Sequence, residues 1–204
     1  SPAAQRRALM PLTPDTLKID YAAEADRIGD ALKAYLTSVR RKGIVVGLSG
    51  GIDSTVTAAL AVRALGPKRV LGLLMPERHS EEVTLSLSRG VAESLGIDYK
   101  LEIITGILEG FGFYERYNEA VRRVIPAFDS TWKSKIAIHA VPGAQTFNYF
   151  SLVAQSPEGE ISTYRLPLTS YLEIVAATNF KQRTRKTLEY YHADRLNYAV
   201  AGTP

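Results

Sequence analysis

The chain has 204 residues, 46% of them hydrophobic and 23% charged, which is enough apolar material for a substantial core and too mixed for a low-complexity polymer. No apolar run approaches the ~20 residues that span a bilayer, and the absence of cysteine excludes disulfides, thiolate zinc sites and a cysteine nucleophile from these residues. A net charge of +4 suits small anionic ligands such as nucleotides better than a long nucleic-acid footprint, so a cytoplasmic protein without membrane or nucleic-acid partners is expected.

Ile19 to Arg41 carries Ala, Leu and Ile at helical spacing with Lys and Arg gathered at its end, and predicts a helix. Ile44 to Leu48 is a short apolar run that breaks into Ser49-Gly50-Gly51 and then Asp53-Ser54. It precedes a helix expected from about Ser54 to Leu65 and closed by Gly66-Pro67. Val70 to Met75 predicts a second strand. Residues 80–95 predict a helix, with Val83, Leu87, Val91 and Leu95 on one stripe and Gly96 as the stop. Tyr99 to Ile104 predicts a third strand, and Thr105 opens a helix expected to run to Val124. From about 126 to 164 the pattern loosens into an irregular insertion. It contains one hairpin, Phe147 to Ala154 against Glu160 to Leu166 across Ser-Pro-Glu-Gly. A helix from about Tyr171 to Asp194 and a strand from Leu196 to Val200 follow. Strands alternating with helices predict an α/β fold, a doubly wound parallel sheet with helices on both faces.

The turn after the first strand carries the chemistry. Gly50 and Gly51 let backbone N–H groups approach a ligand with no Cβ in the way. The helix start that follows adds unpaired donors and the positive end of a dipole, an arrangement suited to phosphate. Asp53 fits such a site if a metal ion stands between it and the phosphates. The GxxxxGK[ST] loop is excluded because no lysine lies between Lys42 and Lys68, and GxGxxG because Gly47, Gly50 and Gly51 have the wrong spacing. His79, His139 and His192 lack partners at metal-ligand spacing and read as surface or structural residues. Trp132 beside Lys133 and Lys135 reads as packing in preference to base stacking.

Ser49-Gly50-Gly51-Ile52-Asp53-Ser54 after a strand resembles the SGGxDS loop of the PP-loop ATP pyrophosphatases, which cleave ATP between its α and β phosphates and adenylate a substrate. The last third narrows the resemblance. Asn179-Phe-Lys-Gln-Arg183-Thr-Arg185-Lys186, then Tyr190-Tyr191, then Tyr198-Ala-Val-Ala-Gly202-Thr203 resembles the NAD synthetases. Their pattern is Asn-x-x-x-Arg-x-Arg-Met, a helix, and a strand ending in Gly-Thr. Leu74-Met75-Pro76 is similar to the adenine-side strand of that family.

The resemblance implies a Rossmann-like fold of the PP-loop type and ATP-dependent amidation of deamido-NAD to NAD. That reaction passes through an adenylate, releases AMP and pyrophosphate, and uses ATP, Mg2+ and ammonia in a homodimer. Carried onto this chain, Gly47, Leu48, Ser49, Gly50, Gly51, Ile52, Asp53, Ser54, Met75 and Thr203 would bind ATP. Asp53 would be the metal ligand, Asp53 and Ser49 the catalytic residues, and Arg183 and Asn179 the contacts to deamido-NAD. Lys186 stands where the family usually has Met. The glutamate, lysines and aspartate that follow Gly-Thr in the family have no counterpart up to Pro204, so one domain over 1–204, truncated at its C-terminal side, is expected. Without cysteine, the ammonia is expected to be free or to come from a separate donor protein. Two other readings stay open. One is a different PP-loop adenylating enzyme, with 181–186 on tRNA phosphates, and the other a nucleotide-binding module without turnover.

Overall fold

A computed structural model of the chain describes residues 13, 18–78, 80, 82–140 and 148–202. Four strands, β1 (Ile44–Gly47), β2 (Val70–Leu74), β3 (Asp98–Leu101) and β7 (Ala199–Ala201), form a parallel sheet in the order β3-β2-β1-β7. Helices α1 (Tyr21–Ser38), α2 (Ile52–Leu65) and α3 (Glu82–Ser94) cover one face. Helices α4 (Thr105–Gly110), α5 (Phe113–Arg122) and α6 (Leu168–Leu196) cover the other. Ile44 and Val46 pack with Leu36, Ala58 and Ala92 on the first face, whereas Val45, Leu71 and Leu73 pack with Ile104, Leu108 and Phe113 on the second. Burial on both sides is why β1 and β2 read as unbroken apolar runs and not as alternating ones.

Local chemistry sets the element ends. Asp20 caps α1, its Oδ1 accepting from the N–H of Ala22 and Ala23 at 3.0 and 3.1 Å. The helix expected from Thr105 to Val124 is two helices. Gly112 turns between them at φ 64°, and the second restarts at Phe113, which is 2% exposed beneath the sheet. The last strand begins at Ala199, not Leu196, because α6 runs on to Leu196 and ends where Asn197 enters the left-handed region at φ 56°.

The insertion is regular. β4 (Lys133–Ala140), β5 (Asn148–Gln155) and β6 (Ile161–Arg165) make an antiparallel sheet in sequence order. The expected hairpin is β5–β6, turning through Gly159 at φ 90°; β4 is an addition to it. Leu152 and Ala154 bury that sheet against Val121, Ile125, Phe128 and Ile174, which roots the insertion on α5 and α6. No described helix is long and apolar enough to cross a membrane.

Candidate functional site

β1 and β2 end side by side. The N–H of Leu48 donates to the carbonyl of Leu73 at 2.8 Å, extending the ladder one step and holding the following loop level with Met75 and Pro76. The loop braces itself through its serines. Ser54 Oγ accepts from the N–H of Ser49 at 3.2 Å, lies 3.1 Å from Ser49 Oγ, and donates to the carbonyl of Gly51 at 3.1 Å. Thr55 Oγ1 donates to the same carbonyl at 2.8 Å. Ser54, 3% exposed, is therefore the internal strut of the turn.

Two glycines here are required by geometry. Gly50 has φ 75°, and a Cβ on it would stand 3.0 Å from Leu87 Cβ and 3.1 Å from the Thr84 carbonyl oxygen, so α3 presses directly on the loop. A Cβ on Gly47 would lie 2.8 Å from Glu189 Oε1 and 3.1 Å from Met75 Cε. The first hydrogen bond of α2 runs from the N–H of Thr55 to the carbonyl of Gly51. That leaves the N–H groups of Ile52, Asp53 and Ser54 without acceptors among the described residues, at the positive end of a 14-residue helix.

These donors open into a cleft of about 350 Å³. One wall is the loop, another the end of β2 with Thr84 and Ser88 of α3, and the third is α6 through Gln182, Arg185, Lys186 and Glu189. The spacing 182, 185, 186, 189 is a single helical face. Burial pulls the pKa of the Arg185 guanidinium below its usual value, against the opposing pull of Glu77 and Glu189. An arginine nevertheless stays cationic at neutral pH. Lys186 Nζ sits 2.5 Å from Glu189 Oε2, a carboxylate only 5% exposed at the base of the cleft.

At the next turn of α6, Lys181 Nζ donates to Glu77 Oε1 at 2.7 Å and Tyr114 Oη donates to Glu77 Oε2 at 2.9 Å. Burial first, and then the bond to Glu77, push the Tyr114 phenol up to about 12. Arg78 stacks over the Tyr114 ring at 4.4 Å and pairs with Glu109. This network ties the end of β2 to α4, α5 and α6 and so fixes the third wall of the cleft. Farther along, His192 Nδ1 accepts from Arg195 Nε at 3.0 Å. Its Nε2 then carries the proton donated to Glu102 at 2.7 Å. His192 is a strut.

Of the residues singled out from sequence, Gly47, Leu48, Ser49, Gly51, Asp53, Ser54 and Met75 line the cleft. Gly50 shapes the turn from behind, and Ile52 points outward, 76% exposed. Arg183 is exposed and Asn179 half-buried on α6, and neither lines the cleft. Thr203 and His79 lie outside the described residues. Gln182 and Glu189 also line the cleft and are singled out by no sequence pattern, and Arg185 lines it too although the sequence reading gives it no role of its own. The 181–186 run contains three cleft-facing residues, Gln182, Arg185 and Lys186, but their facing depends on the phase of α6 against β1.

No group of three or more His, Asp or Glu among the described residues could hold a metal by itself. Asp53 is an exposed carboxylate at the mouth of a nest of N–H donors. That donor set fits a hard cation shared between one carboxylate, ligand phosphates and water, as Mg2+ prefers.

The NAD synthase family profile matches residues 24–126. Two curated proteins, each described as an NH(3)-dependent NAD(+) synthetase, from Rhizobium meliloti and Mesorhizobium japonicum, are both 53% identical to this chain. The alignments cover 93% and 92% of it but 57% and 59% of their own lengths. The chain thus spans under two thirds of these relatives. Among solved structures, the NH3-dependent NAD synthetase from Campylobacter jejuni superposes with a TM-score of 0.58 at 23% identity, over 92% of this chain and 58% of that one. An NMN synthetase from Francisella tularensis gives 0.58 at 20% identity, over 92% and 56%. At these identities the structures establish a shared fold.

Proposed function

The chain belongs to the NAD synthase family, and on that footing we propose that it forms the ATP-handling part of an ammonia-dependent NAD synthetase. Such an enzyme amidates deamido-NAD through an adenylated intermediate, releasing AMP and pyrophosphate. The observation that carries this reading is the loop 47–54, whose free amides face a cationic, partly buried Arg185 across one cleft.

A carboxylate resists attack by ammonia until its oxygen carries a good leaving group. Adenylation supplies one when the substrate carboxylate attacks the α-phosphorus and pyrophosphate departs. Such transfers are accelerated by positioning and charge neutralisation more than by covalent help. Here the N–H groups of Ile52, Asp53 and Ser54 would hold the departing phosphates. The Ser49 hydroxyl would add a donor, and Arg185 would present its planar fork from the opposite wall. Asp53 would hold Mg2+, which when bound supplies charge neutralisation to the phosphates. Glu189 and Met75, packed at the back of Gly47, would form the floor. Arg183 and Asn179, on the adjoining face of α6, would contact deamido-NAD outside the cleft. The exposed Tyr190 and Tyr191, 58% and 61% accessible on α6, suit the interface of a homodimer. The curated relatives are described as NH(3)-dependent, and ammonia is the nitrogen donor this reading takes.

Exchange of labelled pyrophosphate into ATP tests the reading. Stimulation by deamido-NAD and Mg2+ is expected; stimulation by tRNA alone would replace this proposal with an RNA-modifying adenylation.

A further inference from the structure

Position 186 is where α6 departs from the family pattern, which usually carries Met there, and Lys186 lines the cleft. Its Nζ lies 2.5 Å from Glu189 Oε2, three residues along the same helical face. The lysine side chain is 48% exposed and the glutamate 5%. Glu189 in turn leans on the start of the loop, since a Cβ on Gly47 would stand 2.8 Å from its Oε1. The ammonium is therefore held one carboxylate's width from Gly47, by an acid that makes no other hydrogen bond among the described residues.

Charge explains why the pair is there. A lone buried carboxylate beside a phosphate-binding loop would repel its ligand, and Lys186 cancels that charge. One N–H of the ammonium serves Glu189, and the other two have no acceptor among the described residues. Arg185 likewise donates no hydrogen bond there. Consecutive residues of a helix point about 100° apart, so the two cations cannot serve one point. The free amides of Ile52, Asp53 and Ser54 lie at the helix end of the loop, whereas Lys186 is tethered at the strand end, by Gly47. A nucleotide whose departing phosphates rest on those amides brings its α-phosphate toward the strand end and the ammonium.

We propose that Lys186 is a catalytic residue, the cation that binds the α-phosphate, and that Glu189 is the residue that positions it. This assignment rests on the ATP-handling reading above and deepens it. In the adenylation, an oxygen of the substrate carboxylate bonds to the α-phosphorus. The bond from that phosphorus to the α–β bridging oxygen breaks, and its electron pair leaves with pyrophosphate. Negative charge builds on the α-phosphate oxygens during the transfer, and one unit stays on the adenylate afterwards. Lys186 keeps its protons throughout and neutralises that charge, while the loop amides and Arg185 hold the pyrophosphate. Adenylate and leaving group are thus held by different residues, and each can be probed alone.

AMP, adenosine and inorganic pyrophosphate are titrated separately into the full chain by calorimetry. Lys186→Met should weaken AMP by about tenfold and leave adenosine and pyrophosphate unchanged, and Lys186→Arg should recover most of the loss. Lys186→Met/Glu189→Gln leaves no orphaned carboxylate to unsettle the fold or repel the ligand, and should still bind AMP more weakly than the parent chain. Glu189→Gln keeps the cation but loosens it, and should lower kcat of pyrophosphate exchange more than it raises KM for ATP. Parental AMP affinity in the double variant would reduce Lys186 to a screen for Glu189. That result overturns the proposal, as do equal weakening of AMP and pyrophosphate, weakening of adenosine, no AMP binding to the parent chain at millimolar concentration, or an unchanged kcat in Glu189→Gln. The titrations contain no deamido-NAD, so exchange that ignores deamido-NAD while they hold refutes the synthetase reading and leaves Lys186 assigned.

Discussion

Replacing Lys181 with Met asks whether charge holds α6 to the end of β2. The Lys181–Glu77 contact is 2.7 Å between side chains 23% and 5% exposed, and the other carboxylate oxygen takes the Tyr114 hydroxyl at 2.9 Å. Methionine keeps most of the apolar stem, so the variant removes the ammonium and little packing. With an effective dielectric near 20, the lost attraction is about 6 kcal/mol at this distance, and part of it is offset because the ammonium no longer has to be desolvated and the Tyr114 hydroxyl still donates to the carboxylate. What remains is a buried carboxylate supported by the tyrosine, a net loss of about 2–3 kcal/mol. For a chain of this length that corresponds to a melting temperature lower by about 4–12 °C. Thermal and urea unfolding followed by circular dichroism, on Lys181→Met, Glu77→Gln and the double variant, should give a coupling energy above about 1.5 kcal/mol. Lys33→Met is the control, since Lys33 and Asp30 are 54% and 78% exposed at 3.3 Å, and it should change stability by less than about 0.5 kcal/mol. If Lys181→Met melts with the control, or the two single effects add, the junction is held by packing and the reasoning fails.

Gly50→Ala combines left-handed backbone strain with contacts at 3.0 and 3.1 Å, and should lower stability by about 2–4 kcal/mol and weaken ATP-analogue binding, measured by urea melts and calorimetry. Asp53→Asn alters an exposed residue in the first turn of α2. It should abolish Mg2+-dependent AMP release while changing stability by less than about 1 kcal/mol; unchanged turnover would remove Asp53 from the chemistry. Tyr114, raised to about 12 from an unfolded value near 10, contributes stability that is fully present below pH about 10 and lost as pH rises through about 12. In Tyr114→Phe the alkaline loss of stability should be correspondingly shallower, which urea melts between pH 9 and 12 would reveal.

The strand-loop-helix at 44–65 is legible from sequence because every signal in it is local: an apolar run, two glycines, an acid and a helical stripe. The β5–β6 hairpin is legible for the same reason, through its Ser-Pro-Glu-Gly turn. The break at Gly112 is harder to see. A single glycine in a helical pattern is usually tolerated, and here the choice is made by Phe113, which must reach the core under the sheet. β4 is hidden because Lys133, Ser134 and Lys135 give it a polar start, and its strand character comes from pairing with β5. The cleft wall on α6 is the least legible part. Arg183 and Arg185 look equivalent in the sequence, yet two residues along a helix is a rotation of about 200°. Only the docking of α6 decides that Arg185 faces the loop. The Glu77–Lys181 pair joins residues far apart in sequence, and no local pattern announces it.

The position of β1 has a consequence for the chain during its synthesis. β1 carries the phosphate-facing loop and lies inside the sheet, but one of its neighbours is β7, with Ile44 paired to Ala199. At roughly 5–20 residues per second, the ribosome would take on the order of ten to thirty seconds to deliver that second neighbour after β1 emerges. Throughout that interval the nascent polypeptide presents an unpaired Ile-Val-Val ribbon to the cell, so transient chaperone capture at this point is the natural counterpart of placing the loop at the centre of the sheet.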